Sequence, residues 1–210
     1  MKDGYYSVGK RATVELIINK SRFIGDVFHV STENEALELI SSIEEKYPDA
    51  SHHCYAYHID METVIKRFND DGEPGGTAGM PILQVIDQRG IKNVLVVVTR
   101  YFGGIKLGAG GLVRAYSTTA SRALDKADVV WMELCTKGII TIEYESLGSI
   151  QHFLDKNNIP ILDTVYEDKV YIHLISPMPW KELVSRLNDI CNGKLEYKDL
   201  EDIYYPAQEA

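Results

Sequence analysis

Apolar and polar residues alternate over residues 13–18 and again over 22–30, with Asn19-Lys20-Ser21 between the two runs. A period of two over such lengths predicts two strands joined by a turn. The period then changes. Ala36, Leu37, Ile40, Ile43 and Tyr47 recur at three- and four-residue spacing, behind Thr32 and Glu35 and ahead of Pro48. This is a helix with a capping-box start and a proline stop. Residues 52–59 and 64–68 read as strands and 81–88 as a short helix. The unbroken β-branched run at 94–99 predicts a strand covered on both faces. Two glycine-rich loops interrupt these elements, at 69–79 and 103–111. The second feeds a helix over about residues 110–127. There Leu112, Val113, Tyr116, Thr119, Ala120, Ala123, Leu124 and Ala127 share one arc, and Arg114, Ser117, Thr118, Ser121 and Arg122 the other.

Beyond residue 130 the pattern restarts. A strand at 136–144 leads to a helix that Ser146 would cap, with Leu147, Ile150, Phe153 and Leu154 on one side. Asn157-Asn158 and Pro160 end that helix. Residues 161–166 and 170–175 form a hairpin pattern, a second helix begins near Pro179, and 195–204 is a last strand. The order β-α-β-β-α-β predicts a ferredoxin-like arrangement. The chain therefore reads as an α+β protein of two domains, 1–130 and 131–210.

Its 210 residues fit two small domains. With 45% hydrophobic and 25% charged residues, the composition excludes a disordered chain, a collagen and a disulfide scaffold. The longest apolar run, from Val94 to Val98, is far too short for a membrane span. The N-terminus has no apolar segment of the secretory kind. Three widely separated cysteines, Cys54, Cys135 and Cys191, suit a reducing compartment, so a cytoplasmic protein is expected.

The net charge of −9 argues against a generic polyanion binder, but its distribution does not. Residues 1–130 carry 15 basic and 17 acidic side chains; residues 131–210 carry 7 and 14. The acidic C-terminal third is thus a candidate surface for docking a protein partner. In the first part, the 37 residues from Gln88 to Leu124 hold no Asp or Glu, yet contain Arg89, Lys92, Arg100, Lys106, Arg114 and Arg122. A local positive field can coexist with a negative whole.

The second glycine loop lies inside that window. Glycines let backbone N–H groups approach an anion, and a helix N-terminus favours negative charge. Arg100, Tyr101, Gly103, Gly104, Lys106, Gly108, Gly110, Gly111 and Arg114 are the candidate anion- or RNA-binding residues; Tyr101 and Phe102 can also stack on bases. A tight turn requiring left-handed residues would explain the glycines equally well. The Lys-Ser/Thr ending of a P-loop is missing, as is a ribose-binding acid on a following strand. The first loop holds Asp70, Asp71 and Glu73, which could bind Mg²⁺, act as acid and base, or form a solvated turn. His52, Cys54 and His58 share one strand face, and His53 and Tyr55 the other, but zinc lacks a full ligand set. These residues assign no catalytic set, metal or cofactor.

The run Arg100-Tyr101-Phe102-Gly103-Gly104-Ile105-Lys106-Leu107-Gly108 resembles the signature of the IMPACT family. Asp71-Gly72-Glu73-Pro74-Gly75-Gly76-Thr77-Ala78-Gly79 and His53-Cys54-Tyr55-Ala56 are similar to that family's two other recurrent stretches. The resemblance is to the bacterial form, which has a C-terminal ferredoxin-like domain and lacks the RWD domain of eukaryotic relatives. It implies an N-terminal domain of the type found in a small-subunit ribosomal protein, GHMP kinases and elongation factor G. In elongation factor G a ferredoxin-like domain likewise follows. It adds His53, Asp71, Glu73 and Thr77 to the candidate site. Eukaryotic members regulate translation by competing for an activator of the starvation-responsive initiation-factor kinase. The expectation is a non-enzymatic, translation-linked regulator that binds ribosome or RNA through the basic glycine loop, with no membrane partner. The alternatives are a protein-interaction adaptor and a phospho-ligand enzyme using Asp71 or Glu73.

Overall fold

In the computed structural model, which describes residues 4–61 and 63–207, the β-branched run forms the middle strand of a five-stranded antiparallel sheet. After β1 (Gly4–Val8) come β2 (Ala12–Ile18), β3 (Ser21–His29), α1 (Glu33–Lys46), β4 (His52–Asp60), β5 (Val64–Asn69), α2 (Gly79–Gln88), β6 (Val94–Tyr101) and α3 (Ala109–Lys126). The sheet order is β2-β3-β6-β4-β5. Alternate residues of β6 serve two cores. Val94, Val96 and Val98 pack under α2 and α3 with Phe23, Ile82, Ile86, Tyr116 and Leu124. Leu95 and Val97 pack against Ile40 and Ile43 of α1. Each such side chain contributes roughly 1.5–3 kcal/mol when fully buried, which is why β6 carries no polar residue before Thr99.

Two local devices set the geometry that matters below. Asn19 and Lys20 both have positive φ (46° and 64°), and Ile18 pairs with Ser21. This is a two-residue hairpin turn of the kind that matches strand twist. At α1, Thr32 Oγ1 accepts from Glu35 N at 3.2 Å while Glu35 reaches back to Ser31 N at 2.8 Å.

The chain divides into two compact units, Tyr5–Val130 and a second comprising Trp131 onward with Gly4. The second is built from β7 (Val129–Ile142), α4 (Leu147–Lys156), β8 (Ile161–Tyr166), β9 (Val170–Ser176), α5 (Trp180–Ile190) and β10 (Glu196–Pro206). Its strands run β10-β7-β9-β8, every pair antiparallel, which is the ferredoxin-like order. Ile140, Ile142, Val170, Ile172 and Leu174 face Ile150, Leu154, Leu183 and Leu187 of the helices. The Trp180 ring lies so close over β7 that a Cβ on Gly138 would come within 2.2 Å of it.

Three details differ from the sequence reading. The strand β1 was not anticipated. The strand β7 begins at Val129, well before residue 136, because its first half is apolar without a clear alternation. Ser146 closes a single 3₁₀ turn (Tyr144–Ser146) and its side chain does not cap α4. All three cysteines are buried and none forms a disulfide. Among the described residues, no helix is long and apolar enough to cross a membrane.

Candidate functional site

The β6–α3 loop is held down at its start and open at its end. Phe102 N donates to Ser51 Oγ at 3.1 Å and Gly103 N to Ser21 Oγ at 3.2 Å. Gly103 rests on the β2–β3 turn: a Cβ there would lie 2.0 Å from the Lys20 carbonyl, so no other residue fits. Gly104 and Gly108 take positive φ (80° and 69°), which a side chain disfavours. Gly108 is also the N-cap of α3. It has no side chain to cap with, and the first turn of α3 carries no acid. The first amides of α3 therefore have no intrahelical acceptor and no capping oxygen. Arg114 folds back over this turn, its Nη1 lying 3.8 Å from where a Cβ on Gly110 would be. Lys106 and Arg114 are exposed, and neither makes an ion pair among the described residues.

The 69–79 loop is the reverse. Asp71 and Gly72 have positive φ, and Glu73 N donates to Asp70 O at 2.9 Å, closing a tight turn. Asp70 accepts from Gly76 N, Ala78 N and Gly79 N at 2.8–2.9 Å. It thereby caps α2 from outside the helix. Asp71 accepts from the backbone N–H of His53. Thr77 donates its hydroxyl to Pro74 O at 2.6 Å, tightening the last turn of the loop. Each acid of this cluster except Glu73 is thus occupied with local backbone.

Glu73 instead reaches across to β6. Its side chain is 4% exposed, and its Oε1 accepts from Arg100 Nη1 at 2.6 Å and from the Tyr116 hydroxyl at 2.7 Å. Tyr116 in turn accepts from the Cys54 thiol at 3.4 Å. Arg100 is 5% exposed and lies between the rings of Phe23 and Phe102, 5.5 Å from each centroid. Burial pushes the Cys54 thiol up to about 12 and raises the Tyr116 hydroxyl far above its usual range. Cys54 is therefore a protonated donor at neutral pH and not a nucleophile. Above this ladder is a pocket of about 320 Å³ lined by Glu73, Pro74, Arg100, Phe102, Lys106, Leu107, Gly108, Ala109 and Leu112. Both glycine-rich loops contribute to it.

The Impact N-terminal domain family matches residues 19–124, the stretch that contains both loops and the ladder. IMPACT family member YvyE of Bacillus subtilis (strain 168) is 38% identical over 205 residues, covering 97% of this chain and 94% of that protein. The chain belongs to the IMPACT family. Member YigZ of Escherichia coli (strain K12) is 33% identical over 193 residues, covering 90% of this chain and 95% of that one. Residues 140–194 match a domain of unknown function, DUF1949. A crystal structure of a hypothetical protein shares 32% identity and a TM-score of 0.61, covering 96% of this chain and 98% of its own.

Within this IMPACT-family fold the residues singled out from the sequence separate by strand parity. Arg100 and Glu73 meet, with Lys106, Gly108 and Phe102, around the pocket. Gly103 and Gly104 shape the loop, and Gly110, Gly111 and Arg114 form the first turns of α3. Tyr101 and His53 lie on the opposite, α1-side face of the sheet: Tyr101 stacks under the Arg22 guanidinium, 5.3 Å away, and His53 Nε2 lies 3.1 Å from Tyr47 O. Arg100 is enclosed and neutralised by Glu73 rather than presented as a free cation. The ladder also recruits Ser21, His52, Cys54 and Tyr116, which were not among the candidate site residues. His52 Nδ1 lies 2.7 Å from Asp71 O and its Nε2 3.9 Å from Glu73. The parity of β4 places His52 and Cys54 on this face. Tyr116 lies on the apolar arc of α3, where core packing is the simplest reading, and only its hydroxyl reveals its second role.

Proposed function

We propose that this IMPACT-family chain is a non-enzymatic, translation-linked regulator that binds RNA or the ribosome through the surface at the N-terminus of α3. One observation carries the reading: an uncapped, acid-free helix start flanked by Lys106 and Arg114, cations with no acidic partner among the described residues. Such an end attracts phosphate through free amides and the helix dipole. Family membership supports the link to translation, since the eukaryotic relatives that the sequence resembles regulate it. The duties of Asp70, Asp71 and Glu73 within the fold favour binding over acid–base or metal chemistry. Three buried thiols outside any disulfide suit work in the cytoplasm.

The test is fluorescence anisotropy with a labelled single-stranded RNA at increasing salt. Affinity falls steeply, with a log–log slope of about −0.7 per phosphate contacted. Replacing both Lys106 and Arg114 with alanine removes about 1.4 from the magnitude of that slope without lowering the melting temperature. An affinity that is flat in salt, or unmoved by the double variant, overturns the reading.

The second unit supports a further contact with a basic protein partner. Among the described residues its edge strand β10 pairs with β7 alone and exposes Asp199, Glu201 and Asp202.

A further inference from the structure

The pocket above the ladder has two chemically opposite ends. One is the start of α3, with its free amides and Lys106, suited to an anion. The other is Glu73. Both hydrogen bonds to this carboxylate enter through Oε1. Its Oε2 has no partner among the described residues, and it is not one of the enclosed unpaired atoms, although the side chain is 96% buried. Glu73 lines the pocket, and Oε2 is its carboxylate oxygen left without a hydrogen bond among the described residues. A carboxylate oxygen accepts and cannot donate, so it calls for an O–H or N–H. It would repel a phosphate brought to the same end. Leu107, Leu112 and the half-exposed ring of Phe102 line the pocket as well, an apolar surface suited to a flat ring.

A ligand carrying an anion, a flat ring and a hydroxyl between them, small enough for about 320 Å³, is a ribonucleotide. We propose that this pocket takes one unstacked ribonucleotide, with phosphate at the start of α3, base against Phe102 and the ribose 2′-hydroxyl donating to Glu73 Oε2. Arg100 and Tyr116 act as positioning residues: by filling Oε1 they fix the carboxylate so that one oxygen faces the sugar. The proposal rests on the reading of the α3 surface as an RNA-binding face and adds to it a means of distinguishing RNA from DNA.

The same chemistry is present in a free nucleotide and in a residue of an RNA strand, so the experiment separates them. The whole chain is titrated with rA6, dA6, AMP and dAMP. Loss of a hydrogen bond to an ionised acceptor costs about tenfold or more in affinity, so rA6 binds at least about tenfold tighter than dA6. Glu73→Gln should bring the ratio towards one. Because that change also disturbs a buried ion pair, two surface changes accompany it: Ala109→Trp, which fills the pocket, and Phe102→Ala, which removes the platform. Both weaken rA6 and erase the preference for ribose while the melting temperature holds. If AMP competes with rA6 and loses affinity in the same variants, the occupant is a free ribonucleotide; if AMP fails to compete at millimolar concentration, it is a residue of a strand. Equal affinity for rA6 and dA6, or a preference untouched by Ala109→Trp and Phe102→Ala, overturns the pocket while salt-dependent binding through Lys106 and Arg114 stands. Absence of salt-dependent binding to either strand overturns both.

Discussion

Two glycine-rich loops of nearly equal length each lead into a helix, and they handle that helix in opposite ways. The 69–79 loop delivers Asp70 to the start of α2, where one carboxylate accepts three backbone N–H groups. The 103–111 loop brings no acid to the start of α3 and leaves Gly108 at its cap. The first loop carries the more conspicuous charges, and its structure uses them internally. The second offers glycines, three apolar residues and a single lysine, and its hydrogen-bonding capacity is left open. Glycine content marks neither as a site. What distinguishes them is whether the helix end already has its counter-charge.

The largest effect expected from disturbing this contrast is at the link between the loops. Arg100→Ala leaves the Glu73 carboxyl buried without its guanidinium partner. Removing one partner of such a pair costs about 3–5 kcal/mol, read as a lower urea midpoint at unchanged slope. Replacing both Glu73 and Arg100 with apolar residues of similar size recovers most of the loss. A fully stable Arg100→Ala protein would mean that the pair is not buried as described. Next in size is Asp70→Ala, which takes the cap from α2. A lost cap costs about 1 kcal/mol, and three amides served by one ionised carboxylate raise this to about 2 kcal/mol. Hydrogen exchange at Ala78 and Gly79 should accelerate well ahead of the sheet. Uniform acceleration would place the role of Asp70 elsewhere.

The contrast was only partly legible in the sequence, for a physical reason. Hydrophobic period is local, so the helices, most of the strands, the two-sided burial of β6 and the ferredoxin-like order could be read directly, whereas β1 and the first half of β7, which lack a clear alternation, could not. Charge is not local. The 37-residue window without acids is not acid-free in space: Arg89 meets Asp125 at 2.7 Å, Lys92 meets Asp60 at 2.6 Å and Arg100 meets Glu73 at 2.6 Å, each acid coming from outside the window. Of its six cations, Lys106, Arg114 and Arg122 keep no ion-pair partner among the described residues. Arg122 lies 12 residues further along α3 than Gly110, some distance of about 18 Å. It lines a different groove with Arg22 and Lys126. The Tyr116–Glu73 bond joins residues 43 positions apart, and no spacing rule reaches so far.

The smallest expected effect is also the sharpest test, because it makes one loop resemble the other. Gly110→Glu places an acid in the first turn of α3, at a position where a new Cβ meets only the Arg114 guanidinium, 3.8 Å away. Three effects then favour the folded state. Glycine inside a helix costs about 0.8–1 kcal/mol relative to alanine, and glutamate is nearly as good a helix former. A negative charge in the first turn adds about 0.3–1 kcal/mol through the dipole, and Arg114 four residues on gains a partner worth a few tenths. The net gain is about 1–2 kcal/mol, or a rise of a few degrees in melting temperature for a chain of this length. The same carboxylate would supply from within the counter-charge that the proposed RNA ligand brings to α3, so RNA affinity should fall as stability rises. A substitution that merely damages the fold lowers both quantities, and one that touches an irrelevant surface moves neither. A more stable protein with undiminished affinity would show that the open helix end has no part in binding, and would leave Lys106 and Arg114 to act as surface charges alone.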